Sequence, residues 1–206
     1  MTLMEVLVVI VLLALLAEIL LLVLATARRK SSRIGWVENL KEIGLSYRVW
    51  EGDHGDKIPM FVSITNGGAM EMAATRKIEA RFQVVSNELS TPKIFHCPQD
   101  LARIEAKPFS RLTGSNISYF IGMDATNAAA AQANLCGGDN FAVNSVPVKS
   151  GLLEHSANVS VSWTATRHKY VGNIAIVDGS VQQFTQKGLR EAFRRTSLAT
   201  NRFAIP

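Results

Sequence analysis

The fold is decided by residues 2–27, which read TLMEVLVVIVLLALLAEILLLVLATA. From Val6 to Ala27 every residue is apolar except Glu18 and Thr26, and neither Gly nor Pro interrupts the run. A helix of this length is roughly 33 Å long, enough to cross a hydrocarbon layer of about 30 Å. The run is too long for the apolar core of a cleaved signal peptide, and no basic residue precedes it. It predicts a helix that spans a membrane once.

The helical pattern continues after the basic triplet at 28–30 and ends where 52–56 read GDHGD. Apolar residues recur near the 3.6-residue helical period until that point. They are Ile34, Val37, Leu40, Ile43, Leu45, Tyr47 and Trp50. We therefore expect one helix of about 50 residues. Its transmembrane part covers 1–27, its amphipathic continuation covers 28–54, and a globular domain covers 55–206.

The sequence pattern of the globular domain predicts short strands and helices that pack around the long helix. The expected fold is therefore α+β, with a small antiparallel sheet. An Asp-Gly pair after an apolar run is a strong hairpin signal. The alanine-rich run 125–133 fits either a helix or a loop. The predicted elements are a short helix within 71–87, strands at 93–97, 117–121 (half-buried), 135–139 and 173–177, a hairpin tip at Asp178-Gly179, and a closing basic helix at 187–198.

The chain carries a net charge of +5, and its 22 Lys and Arg residues all follow Ala27. These residues form only short runs, so a solvated or lipid-facing surface is favoured and nucleic acid is not an expected partner. The triplet Arg28-Arg29-Lys30 would by itself place the following domain in the cytoplasm.

The cysteines Cys97 and Cys136 are too few for a disulfide scaffold. They leave two alternatives open, a single bridge outside the cytoplasm or two free thiols.

The stretch Thr2–Ile10 resembles the mature start of type IV pilins and type II secretion pseudopilins. The resemblance implies that a prepilin peptidase cleaves before Met1, where the family usually has Phe, and methylates the new amine. It also implies that Glu5 of one subunit pairs with the N-terminal amine of its neighbour, because a lone charge is costly to bury in a filament core. The alternative is an interfacial acid favoured by the helix dipole. Glu18 and Leu22, which stands where many members have Pro, depart from the family pattern.

A second motif extends the resemblance towards the C-terminus. His168 and Asp178-Gly179 match the H-X9-DG motif (168–179) of a processing-associated region in many prepilin-like proteins, and residues 90–93 running into 97–100 fit as well. An Asp-Gly pair supplies the positive φ of a type I′ turn, and we interpret His168 as a hydrogen-bond partner beside that turn.

A metal site would need further ligands, for which Asp139 and His155 are candidates by residue type only. In the related family pattern an Arg usually follows Gly138-Asp139, whereas this chain has Asn140.

No nucleophile elbow, Walker loop, GxGxxG or HExxH occurs in the sequence, so we expect no enzymatic activity, cofactor or metal. The resemblance implies a structural subunit of a type II secretion pseudopilus or a type IV pilus-like filament. Its partners would be further pilin-like subunits, the prepilin peptidase, the assembly platform and membrane lipid. The protein would be single-pass in the cytoplasmic membrane, with its globular domain on the periplasmic face. A short basic leader before Met1 would remove the conflict with the basic triplet.

Two alternatives stay open. One is a membrane-tethered binding module of the cell envelope that does not polymerise. The other is a metal-dependent hydrolase that uses His168 and Asp178.

Overall fold

The computed structural model describes residues 2–75, 77–125, 133–196 and 198–206. The chain divides into two compact units, Met1–Gly35 and Trp36–Pro206. The helices are α1 (Leu3–Asp53), α2 (Ile78–Gln83) and α3 (Gln186–Arg194). The strands are β1 (Tyr119–Gly122), β2 (Asn134–Gly138), β3 (Phe141–Val143), β4 (Val146–Pro147), β5 (Gly151–Ser156), β6 (Val161–Trp163), β7 (Gly172–Ile176), β8 (Val181–Phe184) and β9 (Thr200–Ile205). The predicted α+β class with a long N-terminal helix is confirmed.

Helix α1 is 51 residues long and runs without a break through Leu22, as expected from the absence of Pro. From Trp36 onward, one face of α1 is buried in the main core at an i, i+3, i+4 spacing. The buried apolar side chains are Trp36, Leu40, Ile43, Tyr47 and Trp50. The periodicity was predicted correctly, but Ile34 and Leu45 are exposed because they lie off this face.

A six-stranded antiparallel sheet provides the other side of the main core, in the order β5-β9-β1-β2-β7-β8. Gly44 lies where α1 and the sheet approach closely, and a Cβ built there would be 3.8 Å from the Ala175 Cβ. The main core joins the buried face of α1 to strands β1, β2 and β7.

A second apolar cluster packs α3 with the three-stranded sheet β4-β3-β6. Phe120 of β1 contacts Phe141 and Phe203 there, with ring centroids 5.6 Å and 4.8 Å apart. Strand β1 therefore has buried side chains on both faces, which is why the expected half-buried strand at 117–121 is fully buried.

Two further sequence expectations were wrong. Residues 92–95 form a short 3-10 helix rather than a strand, because Thr91 accepts a hydrogen bond from the Lys93 N–H and Pro92 occupies the first helical position. The predicted basic helix at 187–198 forms as α3, but the chain does not close with it, because β9 follows and lies between β5 and β1. Most of the run 125–133 lies outside the described residues.

Candidate functional site

The first unit presents an apolar helical surface. Nearly all large apolar side chains of residues 3–24 are more than 40% exposed. Within the described residues, no second helix is long and apolar enough to cross a membrane. The qualifying window of α1 has a mean hydropathy of 3.4. By length and composition, α1 is one candidate membrane-spanning helix.

Glu5 belongs to a capping box at the start of α1. The Thr2 N–H donates to Glu5 Oε2 at 2.8 Å, and the Glu5 N–H donates to Thr2 Oγ1 at 3.4 Å. The sequence Thr-x-x-Glu supports this arrangement because each side chain satisfies an N–H that the helix leaves unpaired. Met1, the expected site of processing and methylation, lies outside the described residues.

The second unit contains a closed ring of four alternating charges. Arg103 donates to Asp100 Oδ2 at 2.8 Å and to Asp139 Oδ2 at 2.7 Å. Arg167 donates to Asp100 Oδ2 at 2.9 Å and also to Asp139 Oδ1. Because Asp100 and Asp139 are only 4% and 9% exposed, the two arginines offset the cost of burying both carboxylates. We refer to these four side chains as the Asp/Arg ring.

Ser118 joins the two acidic segments of the ring, just before β1 begins. Its hydroxyl donates to Asp100 Oδ2 at 2.8 Å and accepts from the Cys97 N–H at 3.0 Å. Its carbonyl accepts from the Asp139 N–H at 3.3 Å, directly after β2. The end of β2, the start of β1 and the chain after Cys97 are thereby held together.

Arg167 enters the ring from a loop with unusual backbone geometry. Arg167, Lys169 and Tyr170 have φ values of 62°, 50° and 66°, a left-handed conformation that residues other than Gly rarely adopt. Asn140 braces this loop, because its amide nitrogen lies 3.5 Å from the carbonyls of both Thr166 and Val171. The Asn140 that departs from the family pattern thus has a structural role here.

His168 lies beside Trp36 and Cys97. Its ring stacks on that of Trp36 with centroids 3.6 Å apart and an interplanar angle of 11°. Its Nε2 is 3.1 Å from Cys97 Sγ. Burial raises the pKa of the Cys97 thiol to about 11, so the thiol stays protonated at neutral pH and is a poor nucleophile. The contacts of His168 with Trp36 and Cys97 hold the left-handed loop against α1.

The other end of the H-X9-DG motif contacts α1 elsewhere. Arg48 donates to the carbonyl of Asp178, and Trp36 and Arg48 are about 18 Å apart along the helix axis. The interpretation of His168 as a partner beside the Asp-Gly turn is therefore wrong. Strand β7 separates the two ends of the motif, and each end binds a different turn of α1.

The position of the Asp-Gly turn was predicted correctly, but its turn type was not. Gly179 has φ +88° and its N–H donates to the Ile176 carbonyl at 2.9 Å, whereas Asp178 is not among the positive-φ residues. This is a three-residue hairpin loop with Gly in the left-handed position, rather than a type I′ turn, which needs two positive φ values. Asp178 stabilises it by accepting from the Ser180 N–H at 2.8 Å.

The cysteine bridge considered from the sequence is not formed, because Cys97 and Cys136 are both free and buried. Cys97 faces His168, whereas Cys136 lies inside β2. His155 and Asp139 do not come together either. His155 packs against Phe193 and Phe203 at 5.4 Å and 5.7 Å, while Asp139 belongs to the Asp/Arg ring. Within the described ranges, no group of three or more His, Cys, Asp or Glu residues is arranged to hold a metal.

The Asp/Arg ring lines an open cleft of about 1060 Å³. The walls include hydroxyl-bearing and apolar side chains, among them Ser115, Ser150, Thr164, Thr166, Leu101, Pro147 and Val148. Comparisons of the chain with known protein families, with curated proteins and with solved structures find no match.

Acid should destabilise the second unit through Asp100. Burial opposes ionisation of Asp100, but Arg167, the Ser118 hydroxyl and Arg103 together lower its pKa below the usual range. The stabilisation is thus fully present above the ordinary carboxyl pKa of about 4 and is lost as the pH falls through the lower folded-state value. We expect the thermal midpoint to fall below about pH 4 more steeply for the native chain than for Asp100→Asn. Parallel pH profiles of the two chains would contradict this.

Proposed function

We propose that this protein is a structural subunit that is anchored in a membrane by the first part of α1 and is polymerised through that helix into a pseudopilus or a type IV pilus-like filament. The observation that carries the proposal is the double character of α1. The same helix provides an exposed apolar surface over residues 3–24 and a buried core face from Trp36 to Trp50.

The proposal accounts for the placement of Glu5. The carboxylate is exposed and bonded only locally in the described structure, to the backbone of Thr2. An amine from a neighbouring subunit offers a stronger, charge-assisted partner once the apolar helices pack together and exclude water. The prepilin peptidase, an assembly platform and lipid are the partners that this function requires, and the globular unit belongs on the outer face.

The Asp/Arg ring serves this function as a support. It fixes the loops beside the cleft without leaving an unpaired buried charge. Its cleft also favours a second candidate, a membrane-tethered module that binds a polar envelope polymer, because guanidinium and hydroxyl groups line the same cavity. The two candidates differ in whether the chain polymerises. The third alternative, a hydrolase, requires His168 and Asp178 to act together, whereas they contact different parts of α1.

Membrane integration is tested with lysines in the apolar segment. Leu13→Lys combined with Leu20→Lys is expected to release the chain from membranes during alkaline carbonate extraction, because each central lysine costs about 3 kcal/mol on insertion scales. The control is Ile34→Lys, at an exposed apolar position outside the 6–27 run. The native chain and the control should stay in the membrane fraction, and extraction of all three chains would exclude a membrane anchor.

The side of the membrane on which the globular unit lies is tested in cells that produce the native chain. Protease added to spheroplasts is expected to digest the globular unit while the cytoplasm is sealed. Digestion that occurs only after lysis would contradict an outer-face position.

A further inference from the structure

Leu101 and Ile104 are the most exposed large apolar side chains described in the second unit, at 97% and 78%. They lie on one short loop, 100–105, beside the Asp/Arg ring. Single exposed apolar residues are ordinary on protein surfaces. Two exposed apolar side chains on one rigid loop are less ordinary, because such a loop cannot bend to bury them against the surface. The hydrogen bonds of loop 100–105 show that it is held in this way.

Loop 100–105 is anchored at almost every residue. His96 Nε2 lies 2.9 Å from the Asp100 carbonyl and 3.2 Å from the Arg103 carbonyl. Asn116 donates to the Ile104 carbonyl at 2.8 Å, and the Ala102 N–H donates to Asp100 Oδ1 at 3.2 Å. With Arg103 held in the Asp/Arg ring as well, the two apolar side chains are presented with little conformational freedom left to lose on binding.

A cavity of about 300 Å³ lies on the same unit, at the edge of the six-stranded sheet. Met123, Leu152 and Leu153 line it, and Leu152 is 47% exposed on the edge strand β5. Ala73 also lines the cavity, and Glu154 and Arg202 lie at its rim, so an apolar floor suited to an aliphatic side chain has one acidic and one basic residue beside it. We refer to it as the β5 cavity.

Loop 100–105 and the β5 cavity lie at opposite ends of β1. Ser118, which binds Asp100, precedes this strand, and Met123 follows it, so about 16 Å of extended chain separates them. The two surfaces differ from each other, so contact between them is heterologous. Repeated heterologous contacts add subunits in a row instead of closing a two-fold dimer.

We propose that loop 100–105 of one copy docks Leu101 and Ile104 into the β5 cavity of the next copy. A second copy of this chain is the occupant because the chain carries both surfaces at opposite ends of one strand. Charge is compatible with this choice, since the loop side carries exposed Glu105 and Lys107 and the cavity rim carries exposed Arg202 and Glu154, so each acid can face a base on the other copy. The inference rests on the proposed function, in which the N-terminal helices bring the copies together, and it names the contact between their globular units.

Disulfide trapping in membranes tests this contact. Full-length chains carrying Leu101→Cys are mixed with chains carrying Leu152→Cys and treated with a copper–phenanthroline oxidant, while the two native cysteines remain buried. We expect a cross-linked dimer at a level about tenfold above that of the control pair, because a docked neighbour has a high effective concentration. The control pairs Val146→Cys, at an exposed apolar position on β4, with Leu152→Cys. A single chain with both Leu101→Cys and Leu152→Cys should give a ladder of oligomers.

Several outcomes would overturn the inference. The control pair Val146→Cys with Leu152→Cys could cross-link as strongly as the pair Leu101→Cys with Leu152→Cys. Chains carrying Leu101→Cys alone could form a dimer, which would indicate a two-fold contact. The pair Leu101→Cys with Leu152→Cys could give no cross-linked dimer. Thermal unfolding of each variant checks that the fold is intact. The fold is expected to tolerate Leu101→Cys, because the Leu101 side chain is exposed. Membranes concentrate the chain whether or not filaments form. Missing filaments would therefore contradict the proposed function, whereas missing 101–152 cross-links would contradict only this contact.

Discussion

Replacement of Asp139 by Ala is expected to lower the free energy of unfolding of the second unit by about 3 kcal/mol. Asp139 balances Arg103 and Arg167, whose side chains are only 21% and 14% exposed. Without it, Asp100 alone faces two guanidinium groups, and one positive charge is left partly buried without a partner. The end of β2 and the left-handed loop around Arg167 also lose one of their connections, and the Asn140 contacts with that loop remain.

Thermal unfolding of the detergent-solubilised chain measures this effect. For a unit of this size, about 3 kcal/mol corresponds to a fall in the midpoint of roughly 6–12 °C. The matched control is Asp124→Ala, which removes an aspartate paired with the 53% exposed Arg202 at the surface. It is expected to cost less than about 1 kcal/mol. If both variants shift the midpoint equally, the ring is no more important than an ordinary surface pair.

The sequence predicts the features that depend on local pattern. The uninterrupted apolar run and the helical spacing from Leu40 to Trp50 are visible because each depends on residues close in the chain. The hairpin before β8 is visible for the same reason, since Asp178-Gly179 specifies its own turn. The features visible in the sequence are therefore α1 and the hairpin formed by β7 and β8.

The Asp/Arg ring is not visible in the sequence because its members come from distant segments. Asp100, Asp139 and Arg167 meet only after β1, β2 and the left-handed loop are assembled, and no spacing rule joins them. The motif fragments at 97–100 and 138–139 did mark two corners of the ring, without indicating their partners. Strand β9 was missed because its polar first half, Thr200 to Arg202, lacks strand alternation, whereas pairing with β5 and β1 determines its structure.

Replacement of Glu5 by Gln is expected to abolish polymerisation while leaving the chain in the membrane. Gln at this position still accepts the Thr2 N–H, so the capping box survives the substitution. Only the negative charge is lost, and with it the partner for a neighbouring amine in an apolar filament core. The substitution therefore separates the assembly role of Glu5 from its role at the helix start.

The converse variant is Thr2→Val, which removes the hydroxyl that accepts from the Glu5 N–H and keeps the carboxylate. It costs the helix end about 1 kcal/mol and should leave polymerisation largely intact. If Glu5 is only a helix-capping acid, the order reverses, and Thr2→Val becomes the more damaging change.

Assembly through Glu5 is tested most directly by the amount of filament that cells release on shearing, measured by sedimentation and electron microscopy in the presence of the prepilin peptidase. Filaments are expected from the native chain and from Thr2→Val, and none from Glu5→Gln although that variant remains in the membrane. Filaments from Glu5→Gln at the native level would contradict a role of the Glu5 charge in assembly.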